Sequence, residues 1–385
     1  MNTELGDEQK MIQAVAREFA EKAVRPIASD IDREARFPRE TVRRMGELGL
    51  MGIAIPEAYG GSGGDSVAYA VAVEEVAKAC ASHAAIMSVN NSLYCDPVLM
   101  FGTEAQKQRF LVPFASGVDL GCFCLTEPEA GSDASNQTTL AVRDGGDYVL
   151  DGRKIFVTNG REAGAALVFA QTDRTKAHRG ISAFLVEKGR PGFTVVKTED
   201  KLGIRASDTA ELLFEGCRIP AAHRLGEEGQ GFKVAMAALD GGRIGIAAQA
   251  VGIAAGAYEL SVAYARERKS FGQPIGQHQM VQWMLADMAT SIEAARMLTW
   301  RAAWLKDTGA VFGAAAAMAK LWASETAMKV TTDAIQVHGG YGFIKEYQVE
   351  RYFRDAKSYQ IVEGSVNIQK LIIAQDALGY RKANR

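Results

Sequence analysis

The sequence lacks the marks of several large classes of protein. Its 44 Lys and Arg residues nearly balance its 46 Asp and Glu residues, so it has no positive excess to neutralise the phosphates of a nucleic acid. It has only five cysteines and no C-x-x-C spacing, which favours reduced thiols in the cytoplasm over a disulfide framework or a zinc site. They are Cys80, Cys95, Cys122, Cys124 and Cys217.

The chain also lacks a recognisable targeting segment. Its amino-terminal residues, MNTELGDEQK, have neither the basic start and apolar run of a secretory signal nor the arginine-rich, acid-poor character of a transit peptide. We expect no membrane-spanning segment, because we find no apolar stretch that runs uninterrupted for the length of a bilayer. The expectation is a soluble cytoplasmic protein with neither a nucleic-acid partner nor a membrane association.

Nucleotide and metal motifs are equally scarce. No G-x-G-x-x-G follows a predicted strand and no G-x-x-x-x-G-K-[ST] occurs, so the usual fingerprints of nicotinamide dinucleotides and nucleoside triphosphates are missing. The run Gly60–Gly64 matches the letters of a hydrolase nucleophile elbow, but Pro56–Tyr59 separates it from the preceding apolar run, so a glycine loop is the better interpretation. The five histidines show no metal-ligand spacing, and no metal site is predicted.

What the sequence does contain is a succession of three patterns. The 385 residues are 48% hydrophobic and 23% charged, which is typical of a globular protein with a large core. Helical periodicity dominates residues 1–118, short β-branched runs fill residues 119–231, and long helical stretches occupy residues 232–385. We therefore predict a helical domain, a β-domain and a helical bundle, in that order.

The periodicity also locates individual elements. Asp144–Asp147 and Asp151-Gly152 lie between apolar runs, and each predicts a β-hairpin. In the first third, helices are predicted over Val67–Ala79 and over the repeat Met11, Val15, Phe19 and Ala23, which Pro26 breaks. In the last third, they are predicted over 232–266, 277–306 and 311–337, followed by a short pair near Arg351 and Gln369.

One acidic residue is a candidate for chemistry. Ile368 and Leu371 have helical spacing and Ser365 is a suitable N-cap, so Glu363 lies in the loop that enters a helix. A carboxylate held by a loop among apolar residues has a raised pKa and can act as a general base. On position alone, a favourable interaction with the helix dipole is the better interpretation of Glu363.

Several further segments change that weighting. They are Pro56–Gly63, Ile86–Tyr94, Phe123–Asp133, Phe156–Gly160, Asp200–Arg205, Leu239–Arg243, Arg268–Gly272, Gln336–Gly342, Arg354–Lys357 and Ile361–Gln369. In their common order and spacing they resemble the acyl-CoA dehydrogenase family over almost the whole chain. The resemblance is closest to the short-chain (butyryl-CoA) and short branched-chain members.

The resemblance implies a fold and a reaction. The fold is mixed α and β: an N-terminal helical domain, a central β-barrel-like domain and a C-terminal four-helix-type bundle. The implied cofactor is FAD, and Glu363 is the implied base that removes the α-proton of an acyl-CoA while the β-hydrogen passes to FAD as hydride. The product is the trans-2-enoyl-CoA, and an electron-transferring flavoprotein receives the electrons.

The resemblance also implies the residues that contact each ligand. Because the positions that match Arg268, Gln279 and Gln336–Gly340 reach the FAD of a neighbouring subunit in the family, a homotetramer is implied. The implied substrate contacts are Ser132, Asp240, Arg243, Val362 and Gly364. The implied cofactor contacts are Phe123, Leu125, Thr126, Gly131, Ser132, Phe156, Thr158, Arg268, Phe271, Gln279, Gln336, Gly339, Gly340, Ser365 and Asn367.

Departures from the family pattern indicate which substrate to expect. Some members carry the base in the helix just before the residue that matches Arg243; here that position is Gly242, so Glu363 has no competitor there. Glutaryl-type members use an arginine where this chain has Ala84. Most members have tyrosine immediately before the glutamate, where this chain has Val362, so we expect a pocket that accepts branched or bulky short acyl groups.

Three alternatives stay open at this stage. An enoyl-CoA reductase of the same fold needs the same base and flavin and runs the reaction backwards. An acyl-CoA oxidase fits less well, because oxidase chains are usually much longer. A non-catalytic acyl-CoA-binding scaffold is expected to have lost Glu363 or the flavin contacts, and this chain keeps Glu363 and most of the contacts.

Overall fold

A computed structural model describes residues 4–380 of the chain, and its first third is helical as predicted. The helix predicted before Pro26 is present, and its buried residues are Ala16 and Phe19, while Met11 is 62% exposed. This part contains α1 (Asp7–Phe19), α2 (Ala28–Glu34), α3 (Arg39–Glu47), α4 (Ser66–Ala79), α5 (Ala81–Ser88), α6 (Asp96–Phe101), α7 (Glu104–Phe110) and α8 (Val112–Ala115). A π-helical turn, Val89–Cys95, joins α5 to α6.

The middle of the chain folds into one sheet of eight strands. Their order is β6-β7-β3-β2-β4-β5-β8, and β1 pairs in parallel with β4. The strands are β1 (Gly121–Cys124), β2 (Leu140–Asp144), β3 (Asp147–Thr158), β4 (Ala165–Gln171), β5 (Ile181–Glu187), β6 (Phe193–Thr198), β7 (Thr209–Pro220) and β8 (Arg224–Leu225). The apolar runs predicted to be strands all lie in β3, β4, β5 or β7.

One of the two predicted hairpins is confirmed and the other is wrong. β2 pairs antiparallel with β3 across Gly145-Gly146, as the first turn signal predicts. Asp151-Gly152 does not turn the chain, because β3 continues through it to Thr158. β3 pairs with β2 on one side and β7 on the other, and the irregularity at Gly152 is absorbed as a shift in register against β7.

The last third of the chain is a helical bundle whose long helices match the predicted ones closely. Its helices are α9 (Gly231–Glu267), α10 (Gln279–Asp307), α11 (Gly313–His338), α12 (Val349–Tyr359) and α13 (Val366–Ala377). A two-stranded ribbon, β9 (Lys269–Ser270) and β10 (Gln273–Pro274), separates α9 from α10. Contrary to the sequence expectation, α9 is long and apolar enough to cross a membrane by length and composition, but 72% of its apolar window is buried inside the protein.

The N-terminal helices and the C-terminal bundle share one hydrophobic core. α4 is buried on almost every side because it packs against α1, α9 and α10. Its two buried carboxylates are paired: Glu74 with Arg296 at 2.8 Å and Glu75 with Arg17 at 2.8 Å. The α4–α9 crossing is close, since a Cβ at Gly252 would lie 2.4 Å from the carbonyl oxygen of Glu74. The two helical parts are therefore one packing unit, with the sheet beside it.

Candidate active site

Glu363 lies in a strained loop between α12 and α13. Its φ is 52°, and that of Gly364 is 91°, so two consecutive residues adopt the left-handed conformation. For a residue other than glycine this costs about 1–3 kcal/mol and persists only where the surroundings impose it. The loop position predicted from the start of the helix is confirmed.

The carboxylate of Glu363 points into the protein. Its Oε2 atom is buried and has no hydrogen-bond partner among the described residues. A Cβ built on Gly242 of α9 would lie only 2.2 Å from this oxygen and 2.8 Å from Cδ2 of Leu93. Glycine at position 242 therefore leaves the space that the carboxylate occupies.

Next to the carboxylate lies a small apolar cluster. Val89 and Leu93 of the π-helical turn pack there against Ala238 of α9. Phe123 of β1 packs on the same cluster, which links the sheet to the surroundings of Glu363. The carboxylate thus faces an apolar wall built from three parts of the chain.

Burial and two cations set the charge state of Glu363. Burial raises the pKa of Glu363 to about 7, against the opposing effect of the Lys320 and Arg243 cations. Lys320 lies on α11, and Arg243, which is 5% exposed, lies on α9. The expectation of purely apolar surroundings is therefore incomplete. A group with this pKa can gain and lose a proton near neutral pH.

The two predicted substrate-binding residues of α9 are joined to each other. Arg243 donates from Nη1 to Oδ1 of Asp240 at 2.5 Å, across one helical turn. Val362, beside the base, is 38% exposed, and Ile361 before it is 60% exposed. Apolar surface therefore remains open on the outer side of Glu363.

The predicted flavin-binding segment is fixed to β3 by a buried ion pair. Lys154 of β3 is fully buried, and its Nζ donates to Glu127 at 2.8 Å and to the carbonyl oxygen of Leu125 at 3.1 Å. The backbone N–H of Ile155 donates to the carbonyl of Thr126 at 2.9 Å. Despite its burial, the pKa of Glu127 falls to about 2, because Lys154 and hydrogen bonds stabilise the carboxylate. The pair anchors Leu125 and Thr126.

Other predicted flavin contacts lie at the surface of the single chain. Phe156, with φ 55°, is 63% exposed at the end of β3, two residues before the partly buried Thr158. Gly131 and Ser132 lie in an exposed turn that follows Glu127, and a Cβ at Gly131 would meet nothing within 4 Å. The hydrogen bond from Ile155 to Thr126 therefore places Thr126 beside the end of β3 that carries Phe156 and Thr158.

A second group of predicted contacts forms a separate outer cleft. This cleft, of about 500 Å³, is lined by Tyr264, Arg268, Ile275, Val337, His338, Gly339, Gly340, Tyr341 and Ile344. Gln279 and Gln336 are exposed, and Phe271 is 96% exposed with φ 49°. Gln336 stands 16 residues after Lys320 on α11, or about 24 Å along the helix. The structure therefore does not bring this cleft together with Glu363 of the same chain.

The start of α13 differs in one detail from the prediction. Ser365 occupies the N-cap position, but its side chain makes no capping hydrogen bond. Asn367 is exposed in the first turn of the helix. The side chain of Ser365 therefore does not cap the helix as predicted.

The residues present suit an organic cofactor such as FAD. Among residues 4–380 no group of three His, Cys, Asp or Glu side chains could hold a metal ion. Phe156 and Phe271 expose aromatic surface, and Gly339 and Gly340 leave open backbone surface where a ligand can approach closely. The unpartnered Oε2 of Glu363 indicates a reacting group on the inner side.

Sequence reasoning missed two parts of the site. One is the apolar wall of Val89, Leu93 and Ala238, which forms only when the π-helical turn meets α9. The other is Lys320, whose Nζ donates to the carbonyl oxygen of Gly364 at 2.6 Å. The available sequence signal for Lys320 was its position directly after the alanine-rich run Gly313–Ala319.

Comparisons with known families agree along the whole chain. Residues 6–118 match the N-terminal domain of acyl-CoA dehydrogenases. Residues 122–217 match the middle domain of that family, and residues 229–378 match its C-terminal domain. Each of the three helical or β regions of the fold thus corresponds to one domain of the same family.

Individual proteins give the same result. The chain is 50% identical over 374 residues to the short-chain specific acyl-CoA dehydrogenase of Clostridium acetobutylicum, covering 97% of this chain and 99% of that protein. It is 49% identical over 380 residues to the acryloyl-CoA reductase (NADH) of Anaerotignum propionicum, covering 98% of this chain and 96% of that protein.

Solved structures are equally similar. The butyryl-CoA dehydrogenase of Megasphaera elsdenii superposes with a TM-score of 0.97 at 47% identity, covering 98% of this chain and 100% of that chain. A chain solved in work on the electron transferring flavoprotein of Acidaminococcus fermentans has a TM-score of 0.97 at 50% identity, with the same coverage.

Proposed function

The chain belongs to the acyl-CoA dehydrogenase family of FAD-dependent oxidoreductases that act on CH–CH groups, and we propose that it oxidises a short-chain acyl-CoA to the trans-2-enoyl-CoA. Glu363 removes the α-proton, and electrons pass on to an electron-transferring flavoprotein. The short-chain relative and the structure solved in work on that flavoprotein support the substrate length and the partner. The proposal includes the cytoplasm, where the five free cysteines stay reduced.

The observation that carries the proposal is the buried Oε2 atom of Glu363, which has no hydrogen-bond partner within residues 4–380 and lies beside an apolar wall. A structural carboxylate at a helix start would accept hydrogen bonds from the exposed amides of that helix. Oε2 instead lies against Gly242 of another helix. This geometry suits a base that waits for a proton from a bound molecule.

The chain supplies both the base for the proton transfer and a donor for the thioester oxygen. With a pKa of about 7, Glu363 is ionised at slightly alkaline pH and can keep the proton that it takes. Negative charge then develops on the thioester oxygen, and a donor must stabilise it. The backbone N–H of Glu363 donates to none of the residues 4–380, so it is available for that oxygen. When bound, FAD supplies the hydride acceptor.

The direct test is an anaerobic titration of the flavoprotein with a panel of acyl-CoA thioesters of increasing chain length. We expect the visible flavin absorbance to bleach with short-chain thioesters. Glu363→Gln should retain FAD and bind thioester yet fail to bleach, because the amide cannot accept the proton. Glu215→Gln, a matched change on the exposed surface of β7, should bleach normally.

Two outcomes of this titration would contradict the proposal. Rapid bleaching of Glu363→Gln would show that another group is the base. A colourless protein that cannot be reconstituted with FAD would instead favour the non-catalytic scaffold.

Within this proposal, Val362 selects for branched or bulky short acyl groups. Its side chain is small for a residue adjacent to the base and is 38% exposed. The measurement compares catalytic efficiency for butyryl-CoA and isobutyryl-CoA in wild type and Val362→Tyr. The added ring should lower the branched-to-straight ratio, whereas Ile361→Tyr, one residue away, should leave it unchanged. An unchanged ratio in Val362→Tyr contradicts this part of the proposal.

The reverse reaction is the second candidate, because the acryloyl-CoA reductase is almost as similar as the short-chain dehydrogenase. The same base and cofactor serve both directions. If NADH is consumed in a mixture of the enzyme, electron-transferring flavoprotein and an enoyl-CoA, the result would favour reduction. Reduction of that flavoprotein by acyl-CoA without NADH would favour dehydrogenation.

The proposal also includes a homotetramer in which the outer cleft completes the FAD site of a neighbour. The position of Gln336, about 24 Å along α11 from Lys320, supports this arrangement. The exposure of Phe271 supports it as well. Sedimentation of the flavoprotein tests the oligomeric state, and a monomer that retains FAD would contradict it.

A further inference from the structure

Lys320 is a buried cation that forms no ion pair with any residue the structure describes. Its side chain has no exposed surface, and its Nζ donates to the carbonyl oxygen of Gly364 at 2.6 Å. The other fully buried lysine, Lys154, pairs with Glu127 at 2.8 Å. Among the ion pairs of residues 4–380, none includes Lys320. Burying an unpaired ammonium group is strongly unfavourable, so a compensating interaction is expected nearby.

The carboxylate that attracts Lys320 most strongly is the candidate base itself. Glu363 attracts the Lys320 cation more strongly than Glu325 does, while Arg243 of α9 repels it. Burial lowers the pKa of Lys320 to about 8, so the side chain is still a cation at neutral pH. Around the carboxylate, Lys320 thus faces it from α11, Arg243 from α9 and the neutral hydroxyl of Tyr69 from α4.

Lys320 also fixes the loop that carries the base. The carbonyl oxygen of Gly364 accepts a second hydrogen bond, from Nε2 of Gln369 at 2.8 Å. Both donors hold the peptide group between Gly364 and Ser365, directly after the two left-handed residues Glu363 and Gly364. The donors differ in one respect, since Lys320 carries a charge and Gln369 does not. This difference allows the effect of the Lys320 charge to be separated from the effect of holding the loop.

We propose that Lys320 is a positioning residue for Glu363: its ammonium group holds the left-handed loop in place, and its charge keeps the carboxylate ionised and ready to accept a proton. The inference rests on the proposed function, because it assigns Glu363 as the base. It assigns no contact between Lys320 and the substrate.

The test measures the rate of flavin bleaching by butyryl-CoA in single turnovers between about pH 6 and about pH 8. Lys320→Met removes the charge and keeps the length, so the rise of the rate with pH should move about one pH unit higher, and the rate at acid pH should fall about tenfold. Lys320→Arg keeps the charge and should restore the wild-type profile. Gln369→Leu should lower the rate at every pH without moving the profile.

Two results would overturn the inference. One is an unmoved pH profile in Lys320→Met, and the other is an equal movement in Gln369→Leu. If Lys320→Met does not fold, Lys320→Gln removes the charge and keeps a donor, and it takes its place. Wild-type enzyme that no acyl-CoA bleaches would contradict the proposed function instead, and that result is visible before any variant is made.

A second readout does not depend on turnover. Without the Lys320 charge, the ionised Glu363 should be less stable in the folded protein. Replacing Glu363 by Gln should therefore raise the melting temperature more in the Lys320→Met background than in the wild type at about pH 7.5. An equal effect in both backgrounds would show that Lys320 and Glu363 do not interact.

Discussion

The raised pKa of Glu363 predicts that the candidate base destabilises the folded protein. The pKa moves from 4.5 to about 7 on folding. A carboxyl group with a raised pKa in the folded state is protonated there while the unfolded chain is already ionised. Stability is therefore lost as pH rises from the unfolded to the folded value, and the full loss is present above about pH 7. Glu363→Gln, which cannot ionise, should remove this loss.

The size of the effect follows from the pKa difference. A shift of one pKa unit corresponds to about 1.4 kcal/mol, so a rise from 4.5 to about 7 corresponds to at most about 3.4 kcal/mol. The Oε2 atom is buried but the residue as a whole keeps some exposure, and solvent screens part of the interaction. We therefore expect the free energy of unfolding of Glu363→Gln, relative to that of the wild type, to grow by about 2 kcal/mol between about pH 5 and about pH 7.5.

Differential scanning calorimetry of both proteins at the two pH values measures this change. Comparing two pH values cancels any constant cost of burying the amide. Glu215→Gln on the surface of β7 provides the control. The difference in melting temperature between this variant and the wild type should be the same at both pH values. If the melting temperatures of wild type and Glu363→Gln differ by the same amount at both pH values, burial does not raise the pKa of Glu363.

Three further outcomes are expected. Gly242→Ala places a Cβ 2.2 Å from Oε2 of Glu363, so flavin bleaching in stopped flow should slow about tenfold or more while FAD is retained; an unchanged rate would contradict the close approach. Lys154→Met leaves Glu127 buried without its partner and should cost about 3 kcal/mol, seen as a lower melting temperature; equal stability would show that the pair is dispensable. Phe271→Ser should leave the fold intact in circular dichroism yet speed the release of FAD on dilution, and unaltered retention would exclude Phe271 from the site.

Regular elements could be predicted from the sequence where the pattern is local. The three long helices of the bundle and the Gly145-Gly146 hairpin follow from periodicity and turn chemistry within a few residues. Asp151-Gly152 has the same local chemistry but does not turn, because β3 is held on both sides by β2 and β7. Pairing with distant strands overrides the local preference there.

The candidate site was predictable only in part for the same reason. The loop position of Glu363 follows from the start of α13, a few residues away. Its contact with Gly242 joins residues 121 positions apart, and its interaction with Lys320 spans 43. Periodicity shows which face of a helix is apolar but not which other helix that face meets. The electrostatic surroundings of the base therefore required the packed structure.

The core shared by α4 and α9 has a consequence for synthesis of the chain. About 150 residues separate the end of α4 from the start of α9, and a ribosome adds about 5–20 residues each second. For roughly eight to thirty seconds, the nascent chain therefore carries an apolar helix whose main partner does not yet exist. We expect a fragment ending at Leu225 to bind a holdase chaperone and to be cut within α4 by proteases that leave the full chain intact. A protease-resistant fragment would show that the amino-terminal half completes its own core.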